Sequence, residues 1–485
     1  MIASLNLNQP ITKQYLFILF AIAFAVRALT FYGYVRHNER YKQADSVDYH
    51  NGALCIKYGY GMHRPDTGAP IFWRTPGYPV YLMLFYNIFG TDDFTFEGAS
   101  AAQQASIWFQ IFLSALVPLI LLLLALYLTN SLLIAHITAW ISVFHLGLVL
   151  ASTYLLTEAT SIIPFYLFLL YFYRSFSALF EQPQKHHWIK NLIIAALMLA
   201  LYAWFRPMGQ FVAIIGALTI FLFAQDSWKL KGKKIALFLF IFFACISPWY
   251  IRNYQLTGKW FFCPMFGAYL NSFCAPRIKA EVENIELLDA WKELGMQAEL
   301  KYRQQAPRYK RMGIALPKEF ICGDIAWPIF LGHPWLALYD WMREVFKTTF
   351  DLYSSQLDAF VKGCFFYDPI IEYLGEKLQD CLYKTPMPWF MRFNVYLELI
   401  YALLLWIGLF GGLWLFMLMP LIHKFKVPNI IKQHFGLWLK ISPMIASILF
   451  MTGGFGYARL RLPIEPLMII LSLTFWHYIF KKKIQ

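Results

Sequence analysis

Apolar stretches of close to twenty residues recur from one end of the 485-residue chain to the other, and no other feature restricts its fold as strongly. The hydrocarbon core of a bilayer is about 30 Å thick and takes roughly 20 residues of α-helix to cross. Inside it every backbone N–H and C=O must be paired within the protein, which leaves helices and closed barrels as the only spanning forms. Continuous apolar runs of this length select the helix. The spacing predicts ten spans: Tyr15–Tyr34, Ile107–Leu128, Leu132–Ala151, Glu158–Tyr173, Leu192–Phe205, Gln210–Ala224, Ile235–Tyr250, Val395–Met419, Leu437–Gly454 and Ile464–Phe480. Composition supports this, because 59% of residues are hydrophobic and only 14% charged, against about a quarter charged in soluble domains. The expected fold class is an all-α polytopic membrane protein, and no part of the chain reads as an independent soluble enzyme domain.

The short spans Leu192–Phe205 and Gln210–Ala224 meet at Arg206-Pro207. Proline removes a backbone donor and turns the preceding residue away from helix, so a hairpin is expected there. Lys and Arg favour cytoplasmic loops. With ten spans, that side receives both termini, Lys13, the loop with Arg174, Lys185 and Lys190, the run Lys229, Lys231, Lys233 and Lys234, the loop with Lys424, Lys426 and Lys432, and Lys481 to Lys483. The opposite side receives two long segments, 36–104 and 252–393. The expected organisation is an N-terminal membrane module over 1–251, an external helical cap over 252–393 with helices near Glu281–Gln305 and Pro334–Phe350, and C-terminal membrane helices over 394–485. The first apolar run lacks a small-residue cleavage site and reads as an uncleaved anchor. The net charge of +14 follows from the loop lysines and outer arginines, so no nucleic-acid partner is expected. Cys245 falls in a span, whereas Cys55, Cys263, Cys274, Cys322, Cys364 and Cys381 fall outside, where they form up to three disulfides or stay as buried thiols. None has zinc-site spacing.

Chemistry-bearing residues concentrate on the predicted outer side. Asp45 and Asp48 lie three apart just after the first span, a spacing that places both on one helix face. Partial desolvation of such carboxylates is expected to raise their basicity and suit them to general-base work, although acids in a wet loop are more often plain surface. Arg74 precedes a turn set by Pro76, Gly77 and Pro79 and suits phosphate oxygens; the plainer alternative is snorkelling to headgroups. Glu158 opens a span, where an ionisable group costs about 2.5–3.5 kcal/mol if it faces lipid, so a cavity or partner is expected. Arg206, Arg252, Arg459 and Arg461 end or begin other spans on the same side. Carboxylates ringed by arginines suit transfer of a group away from a phosphate leaving group. Tyr49, Tyr60 and Trp73 are candidates for stacking on sugar rings, or else interfacial anchors.

The order of these elements carries a resemblance: an Asp-containing segment after the first span, Arg-Thr-Pro-Gly-Tyr-Pro, Phe-Arg-Pro, Pro-Trp-Tyr-Ile-Arg-Asn-Tyr, and Arg-Leu-Arg-Leu-Pro-Ile-Glu-Pro. It resembles the GT-C superfamily of polyprenyl-phosphate-sugar-dependent glycosyltransferases over nearly the whole chain. The bacterial members grouped with the lipopolysaccharide-core galacturonosyltransferases are nearest; protein O-mannosyltransferases and lipid A aminoarabinose transferases are more distant. The resemblance implies a GT-C-type bundle, Asp45 as catalytic base with Asp48 as second choice, Arg74 at the carrier phosphate, Glu158 as a further catalytic acidic residue, and Arg206, Arg252, Arg459 and Arg461 as cavity-lining donors to the phosphate. It implies inverting transfer from a polyprenyl-phosphate sugar to an envelope lipid, polysaccharide or protein, in a bacterial inner membrane with the site facing outward. Two departures, Ser46 after Asp45 and Trp73 before Arg74, argue against a bound divalent metal, and no cofactor is expected. A transporter or flippase of polyprenyl-linked glycans, or a non-catalytic lipid-binding assembly partner, are the rivals. Transporters set binding residues near the midplane on matched half-repeats, and this chain has neither.

Overall fold

The computed structural model describes residues 11–36, 39–43, 45–91, 94, 96, 98, 100–175, 188–224, 226–353, 389–424, 426–452 and 458–484. Helices follow one another throughout: α1 (Lys13–Thr30), α2 (Ser46–Lys57), α3 (Gly77–Phe89), α4 (Ala101–Ser114), α5 (Val117–Thr129), α6 (Leu132–Phe144), α7 (Leu146–Ala151), α8 (Thr157–Arg174), α9 (Trp188–Phe205), α10 (Gly209–Phe223) and α11 (Trp228–Thr257). The second half holds α12 (Met265–Tyr269), α13 (Ala275–Glu283), α14 (Leu287–Arg311), α15 (Lys318–Gly332), α16 (Pro334–Phe350), α17 (Trp389–Gly412), α18 (Asn429–Met451), α19 (Ala458–Arg461) and α20 (Glu465–Ile484). The described residues form no named strand.

Six helical stretches are long and apolar enough to cross a membrane: Lys13–Val35, Ala101–Thr129, Trp188–Phe205, Trp228–Thr257, Tyr396–Ile422 and Asn429–Met451. The other four predicted spans coincide with helices α6, α8, α10 and α20. The protein is thus a multi-pass helical membrane protein. Along α1 the inward stripe is Leu19, Ala23, Arg27 and Thr30 at helical spacing, while Phe17 and Leu29 are each 70% exposed. That pattern suits a helix whose outer face meets lipid. Helix α8 is enclosed almost all round, from Thr157 to Tyr173, as expected of the central element of a bundle. Where α17 meets α20, Gly408 lies against Ser472 and Gly411 against the Phe475 ring, the small-residue contact that lets membrane helices approach closely.

Two boundaries differ from the sequence reading. The expected span Leu132–Ala151 breaks at His145, whose ring Nδ1 accepts the Leu148 N–H (3.2 Å) and starts α7. The orphan carbonyls at the end of α6 are met by Arg27, fully buried in α1, which donates to Ser142 O and Val143 O (3.3 Å each) and to Ser114 Oγ (2.9 Å). The helix expected over Glu281–Gln305 is instead two, α13 and α14, separated where Asn284 takes a left-handed conformation (φ 53°). Helices α12 to α16 enclose a second apolar core that includes Leu270, Cys274, Leu294, Ala326 and Trp341. The Trp341 indole N–H donates to Phe450 O (3.1 Å), tying this unit to α18. Cys55, Cys245, Cys263, Cys274 and Cys322 are free thiols, and Cys364 and Cys381 lie outside the described residues.

Candidate active site

Asp45 stands at the N-cap of α2 yet makes no capping hydrogen bond, although an N-cap aspartate ordinarily accepts from the first turn. Its carboxylate turns to arginines from distant parts of the chain. Arg74 Nη2 approaches Asp45 Oδ1 at 2.7 Å, and Arg459 Nη2, 414 residues away in sequence, approaches Oδ2 at 3.5 Å. Asp48, one helical turn on, accepts from Arg74 Nε (3.0 Å) and the Trp73 indole N–H (3.1 Å). Arg74 also reaches Tyr49 Oη at 3.4 Å and covers the Tyr49 ring at 5.0 Å. The side chain of Asp45 is 35% exposed and that of Arg74 is 12% exposed. The carboxylate is therefore partly accessible and the guanidinium largely covered.

Local sequence explains how these groups are held. Ser46 accepts the Gln43 N–H and donates to Leu155 O (both 2.8 Å), while Leu155 N–H donates to Tyr41 O (2.9 Å). The Asp45 loop is thereby fastened to the segment leading into α8. On the other flank, Thr75 Oγ1 donates to Phe205 O (3.1 Å). A Cβ on Gly77 would lie 2.4 Å from Trp204 O, so only glycine lets α3 start against the end of α9. These contacts set Arg74 beside the α9–α10 hairpin. There, as expected, Arg206 appears at the turn, 3.6 Å from Glu158 Oε1, with both side chains nearly buried. Among the described residues no hydrogen bond reaches Arg206 Nη1. Tyr49 lies between the two ion-pair groups and feels Arg74, Asp45, Glu158 and Arg206 together.

The electrostatics at Asp45 reverse one expectation. Burial by itself would raise its carboxyl, but Arg74 and then Arg459 outweigh burial and hold it below its ordinary value of 3.8. Desolvation was expected to make it a stronger base; two guanidinium partners keep it a weaker one.

Other candidates are committed elsewhere. Arg252 donates to Ile71 O (3.1 Å), Asn253 Oδ1 (2.8 Å) and Met62 O (2.9 Å) and stacks on Trp249 (4.4 Å), so it braces the segment between α2 and α3 against α11 rather than facing a phosphate. Arg461 is buried and donates to Thr348 O (3.0 Å), Thr349 O (2.5 Å) and Asp351 O (3.1 Å) while pairing with Glu465. It satisfies the carbonyls at the end of α16, groups a helix end always leaves open. Tyr49, under Arg74 and edge-on to Tyr78 (5.1 Å), offers no open face to a sugar. Trp73 has one face covered by the Arg64 guanidinium (4.6 Å), and Tyr60 is 67% exposed. Among the described residues no group of three or more His, Cys, Asp or Glu gathers as a cation site. Asp45 and Asp48 both meet Arg74.

Sequence reasoning missed a buried cluster around Glu465. His145 Nε2 lies 3.1 Å from its Oε1, the Tyr401 hydroxyl donates to Oε1 at 2.9 Å, the Tyr353 hydroxyl donates to Oε2, and Arg461 Nε lies 3.2 Å from Oε2. The available signal was a histidine and a glutamate at the ends of apolar runs, where ionisable groups seek partners. Glu319, at the start of α15, was also missed: it is 7% exposed, burial raises its carboxyl above the ordinary 4.5, and Arg64 and Lys318 only partly oppose this.

No protein-family model matches the chain and no curated protein matches it. Solved structures do. The archaeal oligosaccharyltransferase AglB from Archaeoglobus fulgidus, in complex with an inhibitory peptide and a dolichol-phosphate, aligns with 14% identity over 96% of this chain and 50% of its own, at a TM-score of 0.50. ArnT from Cupriavidus metallidurans, bound to undecaprenyl phosphate, aligns with 10% identity over 96% of this chain and 77% of its own, at a TM-score of 0.38. The chain spans about half the length of the archaeal enzyme. At this identity the likeness speaks for the fold: the chain is a polytopic membrane protein with the GT-C fold.

Proposed function

We propose that this protein is a membrane glycosyltransferase that moves a sugar from a polyprenyl-phosphate carrier to an envelope lipid, polysaccharide or protein with inversion at the anomeric carbon. The observation that carries this reading is the partly exposed Asp45 carboxylate held between Arg74 and Arg459 in a GT-C bundle. Arginine forks suit phosphate oxygens, and a carboxylate beside them is placed to take a proton.

In this mechanism the donor enters laterally from the bilayer, and its phosphate meets Arg74 and Arg459, with Arg206 beside Glu158 as a further donor. Asp45 takes the proton of an acceptor hydroxyl. The acceptor oxygen forms its bond to the anomeric carbon as the bond from that carbon to the phosphate oxygen breaks, and the electron pair leaves with the lipid phosphate under the arginines. A positioned base contributes about 10²–10⁴-fold, and orientation and charge stabilisation of the leaving phosphate supply the rest. Trp341 of α16 donates to Phe450 O of α18, and in this reading the helices of 265–350 receive the acceptor. The setting of the reading is a bacterial inner membrane with both termini cytoplasmic and the site outward.

The test is mass spectrometry of envelope glycans from cells with the intact gene, a deletion, or Asp45→Asn at matched protein level. Loss of the same sugar from the deletion and from Asp45→Asn supports the transferase and identifies the acceptor. Full restoration of that sugar by Asp45→Asn removes Asp45 as the base.

A further inference from the structure

Each of the three nitrogens of the Arg74 guanidinium already has a partner. Of the five N–H donors a guanidinium carries, Nη2 is on Asp45 Oδ1 (2.7 Å), Nε on Asp48 Oδ2 (3.0 Å) and Nη1 near Tyr49 Oη (3.4 Å). Arg459 closes on the second oxygen of Asp45. Carboxylate and phosphate are the two anions that a guanidinium fork accepts in the same geometry, so both cannot hold the same edge of Arg74. We propose that a lipid phosphate seats by displacing the Asp45 carboxylate from Arg74 and Arg459, so that Asp45 turns to the acceptor hydroxyl only when a donor is bound. This rests on the transferase reading of the same site.

The charges around Asp45 fit such an exchange. Arg74 precedes α3 and Arg459 lies on α19; Asp48 and Tyr49 lie on its own helix; Glu158 of α8 and Arg206 of the hairpin stand beyond Tyr49. The cations Arg74, Arg206 and Arg459 balance the carboxylates Asp45, Asp48 and Glu158. An arriving phosphodiester adds one negative charge, which favours a proton on the carboxylate it displaces. In the transfer that proton comes from the acceptor hydroxyl, and the displaced phosphate keeps the arginines when it leaves. With no donor bound, Asp45 stays paired and is a poor base toward water.

The probe is farnesyl phosphate, a lipid phosphate without a sugar, titrated calorimetrically into the purified full-length protein in detergent at neutral pH. Asp45→Asn removes the competing carboxylate charge and is expected to bind about tenfold more tightly than wild type, the size of one charge-assisted contact released. Asp48→Asn, which removes the second carboxylate charge from Arg74, is expected to tighten binding as well, and Arg74→Gln and Arg459→Gln to weaken it. Thermal melting of each variant establishes that it is folded, and Asp48→Asn keeps the test open if Asp45→Asn is not. Binding to wild type with no gain in either aspartate variant overturns the exchange and leaves the donor reading standing. No binding to folded wild type at millimolar probe overturns both.

Discussion

Asp45 shows how a residue's chemistry is set by its partners rather than by its place in the sequence. Its folded value lies below the ordinary 3.8 because Arg74 and Arg459 outweigh burial. A lowered carboxyl contributes its stabilisation at all pH above the ordinary value and loses it only as pH falls through the lower, folded one. The melting temperature of wild type is therefore expected to exceed that of Asp45→Asn by a constant margin from neutral pH down to the ordinary aspartate range, and the gap to close only below it; closure above that range contradicts the pairing. Glu319 carries the opposite sign. Burial raises its carboxyl above 4.5, so its stabilisation is full below the ordinary value and is lost as pH rises through the folded one. Glu319→Gln, which mimics the protonated form, is expected to melt higher than wild type at neutral and alkaline pH and equal to it in acid. Scans at three pH values decide this.

At the scale of elements, the site depends on where helices start and stop. The approach of α3 to α9 has no room for a side chain at Gly77. Gly77→Ala is expected to lower stability by about 1–3 kcal/mol through overpacking and to reduce sugar transfer, since Thr75 and Arg74 lie just upstream of the shifted contact. An unchanged melting temperature with full transfer counts against this junction as the support of Arg74. The spans were legible because an apolar run of about 20 residues has one stable form in lipid. The break at His145 was not, because no proline marks it and Gly147 lies inside α7 rather than at the break; the imidazole itself caps α7, and Arg27 on another helix meets the freed carbonyls. Arg252 reads in sequence like the other candidate arginines and differs in that carbonyls of the segment between α2 and α3 lie within its reach.

Across the whole molecule, the cluster around Glu465 joins parts that sequence keeps far apart. It links the α6–α7 break through His145, α17 through Tyr401, the segment after α16 through Tyr353, and α19 through Arg461. Arg459 lies two residues before Arg461, so this anchor also fixes where Arg459 meets Asp45. Glu465→Ala leaves the Arg461 charge buried without its partner and is expected to cost about 3–5 kcal/mol. Glu465→Gln, which keeps most hydrogen bonds, is expected to cost less. Equal melting temperatures for wild type and Glu465→Ala in detergent contradict the anchoring role. The sequence alone determined that the chain is a helical membrane protein, because apolar run length is a local property. Which arginine pairs with Asp45 and which is committed to backbone carbonyls was decided by the tertiary structure alone. A guanidinium's role is fixed by the acceptors within hydrogen-bond reach, and for Arg459 and Asp45 that acceptor lies 414 residues away.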